Sequence, residues 1–265
     1  MSMCKMLHSG LPDRCEGGRT PLVRGRWRRA AVSAALPALG ILSGCQAVTS
    51  SPSASQLRVI DASPDAPGLD MYENNSVIAY NLGFGTVTSY ISTDPGNFTV
   101  AANIAGSKTA LASAKGTFTA SSQYTVLIGN AAANLQELIL KDQAQAAPSG
   151  QISLRLIDQA TRIGAIDIYL VPSGQKFTAV TPLITNLAFP TNTGYLNVPT
   201  GTYTLVIVPA GTIPTSSTVA TYTGAQVTYS GGSVTTIVLI DQQLVTTPGL
   251  QIITAQDYVS PTATS

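Results

Sequence analysis

Three carboxylates, Asp61, Asp65 and Asp70, fall within ten residues around one Pro-rich loop, Ser63-Pro64-Asp65-Ala66-Pro67. Ca²⁺ takes about six to eight oxygen ligands, and three carboxylates with loop carbonyls are the raw material for such a site. The same residues also build turns, because Asp and Ser accept bonds from nearby backbone N–H groups and Pro presets φ. Recurrence favours the turn. Asp158 and Asp167 repeat the spacing of Asp61 and Asp70, which suits a structural role, including pairing with Arg58 or Arg155. Arg162 stands where Asp65 would recur, against a second metal site. The expectation is no metal and no cofactor, with Ca²⁺ at Asp61, Asp65 and Asp70 as the alternative.

The second chemically distinctive residue is Cys45. It ends the run Leu42-Ser43-Gly44-Cys45, which follows the basic stretch Arg24 to Arg29 and an apolar run of 13 residues, Ala30 to Leu42. That run is too short for a bilayer core, which needs about 20 residues. A positive segment, an apolar segment and small residues before the cut describe an export signal. With Cys next, the run resembles a bacterial lipobox. The resemblance implies a diacylglyceryl thioether on Cys45, cleavage before it, and a mature protein that hangs by lipid from a membrane outside the cytoplasm. Stable anchoring takes two such signals, so a further acyl chain on the new N-terminus is expected. Gln46 rather than Asp after the Cys leans towards the outer membrane where the host has one. Arg28-Arg29 fits a twin-arginine export pattern poorly. Met1 to Val23 lacks signal-peptide character, which suggests that translation starts near Val23.

Removing residues 1–44 strips out Cys4, Cys15, His8 and Trp27. The remainder has no His and no Cys but Cys45, so disulfides, Cys/His metal sites and a Ser-His-Asp triad are excluded. A Ser-Lys dyad would need Lys108, Lys115, Lys141 or Lys176 buried beside a Ser, and nothing local places one there. Gly83-Phe84-Gly85 and Gly231-Gly232 have no following helix and form no phosphate loop. Seven Lys and Arg remain against eleven Asp and Glu, a net charge of −4 that disfavours nucleic acid as a partner. No enzyme is expected.

These chemical groups are positioned by a duplicated β-rich body. Leu57-Arg58-Val59-Ile60-Asp61 recurs as Leu154-Arg155-Leu156-Ile157-Asp158, and Asp70-Met71-Tyr72 as Asp167-Ile168-Tyr169. Asn81-Leu82-Gly83-Phe84 answers Asn186-Leu187-Ala188-Phe189, Tyr90 answers Tyr195, and Gly96 to Val100 answers Gly201 to Leu205. Tyr124 to Ile128 resembles Thr236 to Ile240, and Leu135-Gln136 resembles Leu250-Gln251. Short runs rich in Val, Ile, Thr and Tyr alternate with Gly, Pro, Asn and Ser clusters, the signature of an all-β chain. About eight strands are expected per copy, including Thr88–Ser92, Gly116–Thr119, Thr218–Tyr222, Ala225–Tyr229 and the nearly continuously apolar Val234–Ile240. Only Ala131–Lys141 could pass for a helix, and the match of Leu135-Gln136 with Leu250-Gln251 argues for a strand instead. The organisation expected is a signal peptide over 1–44, a flexible tether over 45–55, and two tandem immunoglobulin-like or transthyretin-like β-sandwich domains over 56–146 and 151–258. Ten tyrosines all lie in the mature region. Those that recur, Tyr72/Tyr169 and Tyr90/Tyr195, suit shared packing positions better than a ligand platform.

The segment Leu57-Arg58-Val59-Ile60-Asp61-Ala62-Ser63-Pro64-Asp65-Ala66-Pro67-Gly68-Leu69-Asp70-Met71-Tyr72 resembles the opening of the domain-of-unknown-function family 4397, over residues 56 to about 257 through both copies. Members commonly have His where Asp61 stands, and the second copy reads Gln159-Ala160-Thr161-Arg162-Ile163-Gly164 in place of the Pro-rich loop. The resemblance implies an exported bacterial protein with tandem copies, and no reaction. The function expected is non-catalytic binding or scaffolding at the surface or in the periplasm, with the membrane reached through the lipid and an envelope glycan or protein as partner. Two alternatives stand beside it: a polysaccharide- or peptidoglycan-binding module, and a structural spacer or self-assembling envelope subunit.

Overall fold

The computed structural model describes residues 53–243 and 249–258. The signal peptide over 1–44, the lipobox Leu42 to Cys45 and most of the tether lie outside the described residues. Among the described residues no helix is long and apolar enough to cross a membrane.

The first copy runs β1 (Ser55–Asp61), β2 (Leu69–Glu73), β3 (Ser76–Leu82), β4 (Ile91–Thr93), β5 (Gly96–Ile104), β6 (Ala110–Phe118), β7 (Gln123–Gly129) and β8 (Gln136–Lys141). The second runs β9 (Gln151–Asp158), β10 (Ile166–Pro172), β11 (Ile184–Leu187), β12 (Asn192–Pro199), β13 (Gly201–Pro209), β14 (Tyr222–Tyr229), β15 (Val234–Asp241) and β16 (Leu250–Tyr258). Each copy is a sandwich of two four-stranded sheets with the same strand order: β4-β1-β7-β8 over β3-β2-β5-β6, and β12-β9-β15-β16 over β11-β10-β13-β14. β1 and β7 pair in parallel, as do β9 and β15, and the other pairings are antiparallel.

Alternation decides what each strand buries, since successive side chains point to opposite faces. Leu57 and Val59 of β1 join Val126 and Ile128 of β7 and Phe98 and Val100 of β5 in the core of the first sandwich. Leu154, Leu156, Ile237, Leu239, Leu205 and Ile207 do the same in the second. The intervening residues face the other way and are buried too. Ile60, Leu127 and Leu140 of the first copy pack with Ile157, Val238, Ile240 and Ile253 of the second. The sheets of β1 and β9 therefore lie back to back, covered on both faces, and this is why β15 is buried along its whole length. Two-sided burial favours a nearly continuous apolar run, which Val234–Ile240 supplies with only Thr235 and Thr236 interrupting it.

One charged pair from each copy crosses this interface, related by an approximate two-fold. Arg155 Nη2 donates to Asp142 Oδ1 of the first copy at 2.5 Å, and Arg58 Nη2 donates to Asp257 Oδ1 of the second. Each Nε donates at 2.9 Å to a Thr of its own copy, Thr125 or Thr236. Those hydroxyls donate at 2.6 Å to Asp142 and Asp257. Tyr90 and Tyr195 donate to the same two carboxylates at 2.7 and 2.6 Å. Their rings also lie under the guanidinium groups, 4.7 and 4.8 Å from Cζ to ring centre. All four charges are buried. This corrects the expected pairing of Arg58 and Arg155 with the recurring Asp residues near them. Arg58 and Asp61 are three apart on one strand and so face opposite sides.

Other expectations shift locally. The strand favoured over a helix within Ala131–Lys141 is found as β8, after a single 3₁₀ turn at residues 132–134. The strand expected at Gly116–Thr119 begins at Ala110; its Ala-, Ser- and Lys-rich start has little β propensity and is held by pairing with β5. The strand expected at Thr88–Ser92 is displaced to Ile91–Thr93. Thr218 closes a loop turn on Thr215, and β14 begins only at Tyr222. The repeat alignment over the seventh strands slips by one residue, because Arg58 pairs with Thr125 and Arg155 with Thr236.

Truncating one member of a buried ion pair leaves its partner charged without compensation, at a cost of about 3–5 kcal/mol. Asp257→Ala is expected to lower the urea-unfolding free energy by about that amount, while Asp94→Ala on an exposed turn changes it by less than about 0.5 kcal/mol. A loss below about 1 kcal/mol for Asp257→Ala would contradict the part assigned to the crossed pairs.

Candidate functional site

The sequence-predicted carboxylates do not converge. Asp70 accepts backbone N–H groups from Asn81 and Gly106, each at 2.8 Å, and Asp167 accepts them from Asn186 and Gly211 at the same distance. Asp61 and Asp158 accept from Ser63 and Ala160 at 3.0 and 2.9 Å. Asp65 accepts from the backbone of Ala132 at 2.8 Å. Among the described residues no three His, Cys, Asp or Glu side chains are placed to share a metal ion. These carboxylates tie turns, and the Ca²⁺ alternative at Asp61, Asp65 and Asp70 loses its geometry. Lys108, Lys115, Lys141 and Lys176 are exposed, so none is the desolvated base of a Ser-Lys dyad.

The two sandwiches differ most at one end of their cores. In the first copy Phe98 of β5 pairs with Gly116 of β6. A Cβ at Gly116 would stand 2.9 Å from the tip of the Phe98 ring, so the ring takes space that only a glycine leaves. Phe98 stacks on Phe118 with centroids 3.4 Å apart and planes within 11°, and Tyr124 completes the cluster at 4.9 Å. All three are buried, at 4%, 2% and 6% exposure. β6 and β8 close over them.

The register carries these positions directly onto the second copy. Tyr203 stands for Phe98, Tyr229 for Phe118 and Val227 for Gly116. A ring seated as Phe98 is would meet the Cβ of Val227, as the Gly116 geometry shows. Tyr203 instead lies against Gly201, whose Cβ would be 3.1 Å from the ring, and donates its hydroxyl to Pro199 O at 2.9 Å. Tyr203 and Tyr229 are 6.5 Å apart and tilted by 47°. Thr235 replaces Tyr124 at the next strand, removing the third ring. β14 and β16 leave between them a cleft of about 480 Å³, within the range of roughly 300–1,000 Å³ usual for small-molecule sites. Leu205, Ile237 and Ile252 form its apolar floor; Tyr203, Tyr222, Tyr229 and Tyr258, all half-buried, form its walls. Thr228, Thr254 and Gln256 stand exposed around it.

The tyrosines that recur do pack: Tyr169 is buried edge-on against Phe177, and Tyr90 and Tyr195 serve the crossed ion pairs. The cleft uses those without a tyrosine counterpart. The exchange of Phe98, Gly116 and Phe118 for Tyr203, Val227 and Tyr229 was present in the sequence, but only a residue-level register of β6 on β14 reveals it.

The family model described as Domain of unknown function (DUF4397) matches residues 55–169 and 175–265. The chain is a member of the DUF4397 family. No curated protein matches this DUF4397 chain. Among solved structures it is similar to the Bacillus anthracis TIE protein, at 10% identity and a TM-score of 0.24 over 72% of this chain. It spans only 34% of that protein. It is also similar to a family CBM26 module of Eubacterium rectale Amy13K, solved with maltoheptaose, at 11% identity and a TM-score of 0.24 over 76% of this chain and 98% of the module. A third structure, described as α-glucan binding by a streptococcal virulence factor, shares 8% identity at a TM-score of 0.20 over 58% of this chain and 80% of that one. Likeness at this level assigns neither fold relationship nor ligand.

The closed end of the first copy carries a burden that the open end lacks. Glu137 of β8 occupies the register position of Ile252. Burial pushes its carboxyl up to about 7, with partial relief from the nearby backbone of Ala114 and Ala102, and neither oxygen makes a well-formed hydrogen bond. Asp61 and Asp158 are likewise pushed up to about 6 by burial, each with one unpartnered oxygen. A carboxyl raised in the folded state stabilises below its unfolded pKa, and that contribution is lost as pH rises through the folded value. These three groups are therefore expected to lower stability between about pH 4 and about pH 7. Calorimetry should give a higher melting temperature near pH 5 than near pH 8, and Glu137→Gln should narrow the gap. An unchanged gap in that variant would contradict the assignment of part of the decline to Glu137.

Proposed function

We propose that the mature chain is a non-catalytic, lipid-anchored envelope protein whose second sandwich holds a ligand in the tyrosine-walled cleft. One observation carries the reading: two copies of one fold share strand order and interface, yet the second is opened where the first is packed shut. Open apolar surface in a core costs stability at about 25 cal/mol per Å² left wet, so a retained opening indicates use. The first copy and its crossed ion pairs act as a rigid mount. The lipobox ending at Cys45 supports anchoring outside the cytoplasm, at the outer membrane where the host has one. The absence of His and of any Cys beyond Cys45 from the mature sequence, with all four lysines exposed, supports binding rather than catalysis. The net charge of −4 supports a partner other than nucleic acid.

The test uses full-length protein recovered from bacterial membranes. Mass spectrometry of its N-terminal peptide is expected to show an acylated Cys45. Immobilised, it should retain envelope material saturably, and Tyr203→Ala/Tyr229→Ala should lose that material while Tyr80→Ala, exposed on the first copy, retains it. Equal retention by the cleft variant would show that the cleft is not the binding site.

A further inference from the structure

We infer that the cleft of the second sandwich takes a neutral oligosaccharide, with sugar rings laid on its tyrosine faces. This rests on the cleft being the ligand site and names what fills it.

The lining is aromatic and hydroxylated, and among the described residues it contains no Asp, Glu, Lys or Arg. An anionic polymer or a fatty acid would place its carboxylate in a site with no cationic side chain to receive it, and a buried unpaired charge costs several kcal/mol. A cationic ligand would find ring faces but no carboxylate to neutralise it, whereas an uncharged ligand needs no counter-charge at all. The comparison of copies then decides between a purely apolar ligand and a hydroxylated one. Both phenylalanines of the closed core become tyrosines in the open one, Tyr203 and Tyr229. A third position changes from Glu137 to Ile252, which removes a charge from the floor. Tyrosine presents an apolar face and a polar tip, the combination used where one side of a contact is wet. Thr254 and Gln256 add donors and acceptors around those faces. A pyranose matches this pairing, since its axial C–H faces are apolar and its equatorial hydroxyls ring the edge. Tyr222 resting on Gly224 and Tyr203 on Gly201 are braced from behind by backbone, with each glycine Cβ position 3.1–3.2 Å from the ring. Braced rings lose little side-chain freedom when a ligand docks.

The mature protein has no Trp, because the single Trp is Trp27 in the leader, so tyrosine emission is unmasked, and the part of its change on binding that Tyr229→Ala removes reports on the cleft. The full mature chain is titrated with maltohexaose, cellohexaose, mannohexaose and chitohexaose, and in parallel with oligogalacturonate and palmitate. At least one neutral hexasaccharide is expected to bind saturably, with an affinity unchanged by about 0.5 M NaCl, a level that screens exposed charges. Tyr229→Ala should weaken it by about tenfold or more and Tyr229→Phe by less than about threefold, as for loss or retention of a contact ring. Thr254→Arg, at an exposed position that folding tolerates, should weaken it as well. Cleft-dependent binding of oligogalacturonate or palmitate alone would overturn the ligand class while leaving the cleft as a site. Neutral binding untouched by both Tyr229→Ala and Thr254→Arg, or no binding by any probe, would overturn the inference. Envelope binding that ignores the cleft variant in the earlier pull-down would remove the reading beneath it.

Discussion

The back-to-back contact of the two inner sheets is the constraint on which the rest of the structure depends. It buries both faces of β1, β7, β9 and β15, and so favours nearly continuous apolar strands where a lone sandwich would alternate. It also fixes the copies relative to each other. Arg58 reaches Asp257 and Arg155 reaches Asp142, each carboxylate further held by a Thr and a Tyr of its own copy. Apolar contact alone would tolerate sliding of one sheet over the other. Directional, fully partnered charges do not, because a shift of register would strand four buried ions.

With the copies welded through one face, their opposite ends are free to diverge. The first keeps a closed aromatic cluster, with the Phe98 ring in space that only Gly116 leaves. In the second, Val227 blocks that placement, Thr235 withdraws a ring, and the sandwich stays open between β14 and β16. Five side-chain exchanges, at Phe98, Gly116, Phe118, Tyr124 and Glu137, thus distinguish core from cleft without altering strand order. Duplication supplies the means: one copy keeps the packing that supports the fold, and the other gives it up for a surface.

Much of the architecture was legible in the sequence because it rests on local patterns. The repeats, the β class and the Asp-tied turns follow from spacing, alternation and turn chemistry. Tandem DUF4397 copies were legible in the segment from Leu57 to Tyr72. What escaped was long-range. The partners of Arg58 and Arg155 lie at Asp257 and Asp142, distant in sequence and beyond any local rule. The seventh strands were aligned one residue out, since runs such as Tyr124–Ile128 and Thr236–Ile240 are apolar but for one Thr each and carry no alternation to set register. That slip conceals the match of Thr125 with Thr236. The edge strand β6 is poor in β-formers, β14 is interrupted by Gly224-Ala225-Gln226, and both were placed only in part, which hid the exchange of Gly116 for Val227 and with it the cleft.

The central claim is that equivalent aromatic positions are shut in the first copy and open in the second. Hydroxyl-radical footprinting of the unliganded protein, read residue by residue by mass spectrometry, tests it most directly. Oxidation of Tyr203 and Tyr229 with protection of Phe98 and Phe118 is the predicted result. Equal protection of all four rings would mean that the second core is closed like the first, and would contradict the account.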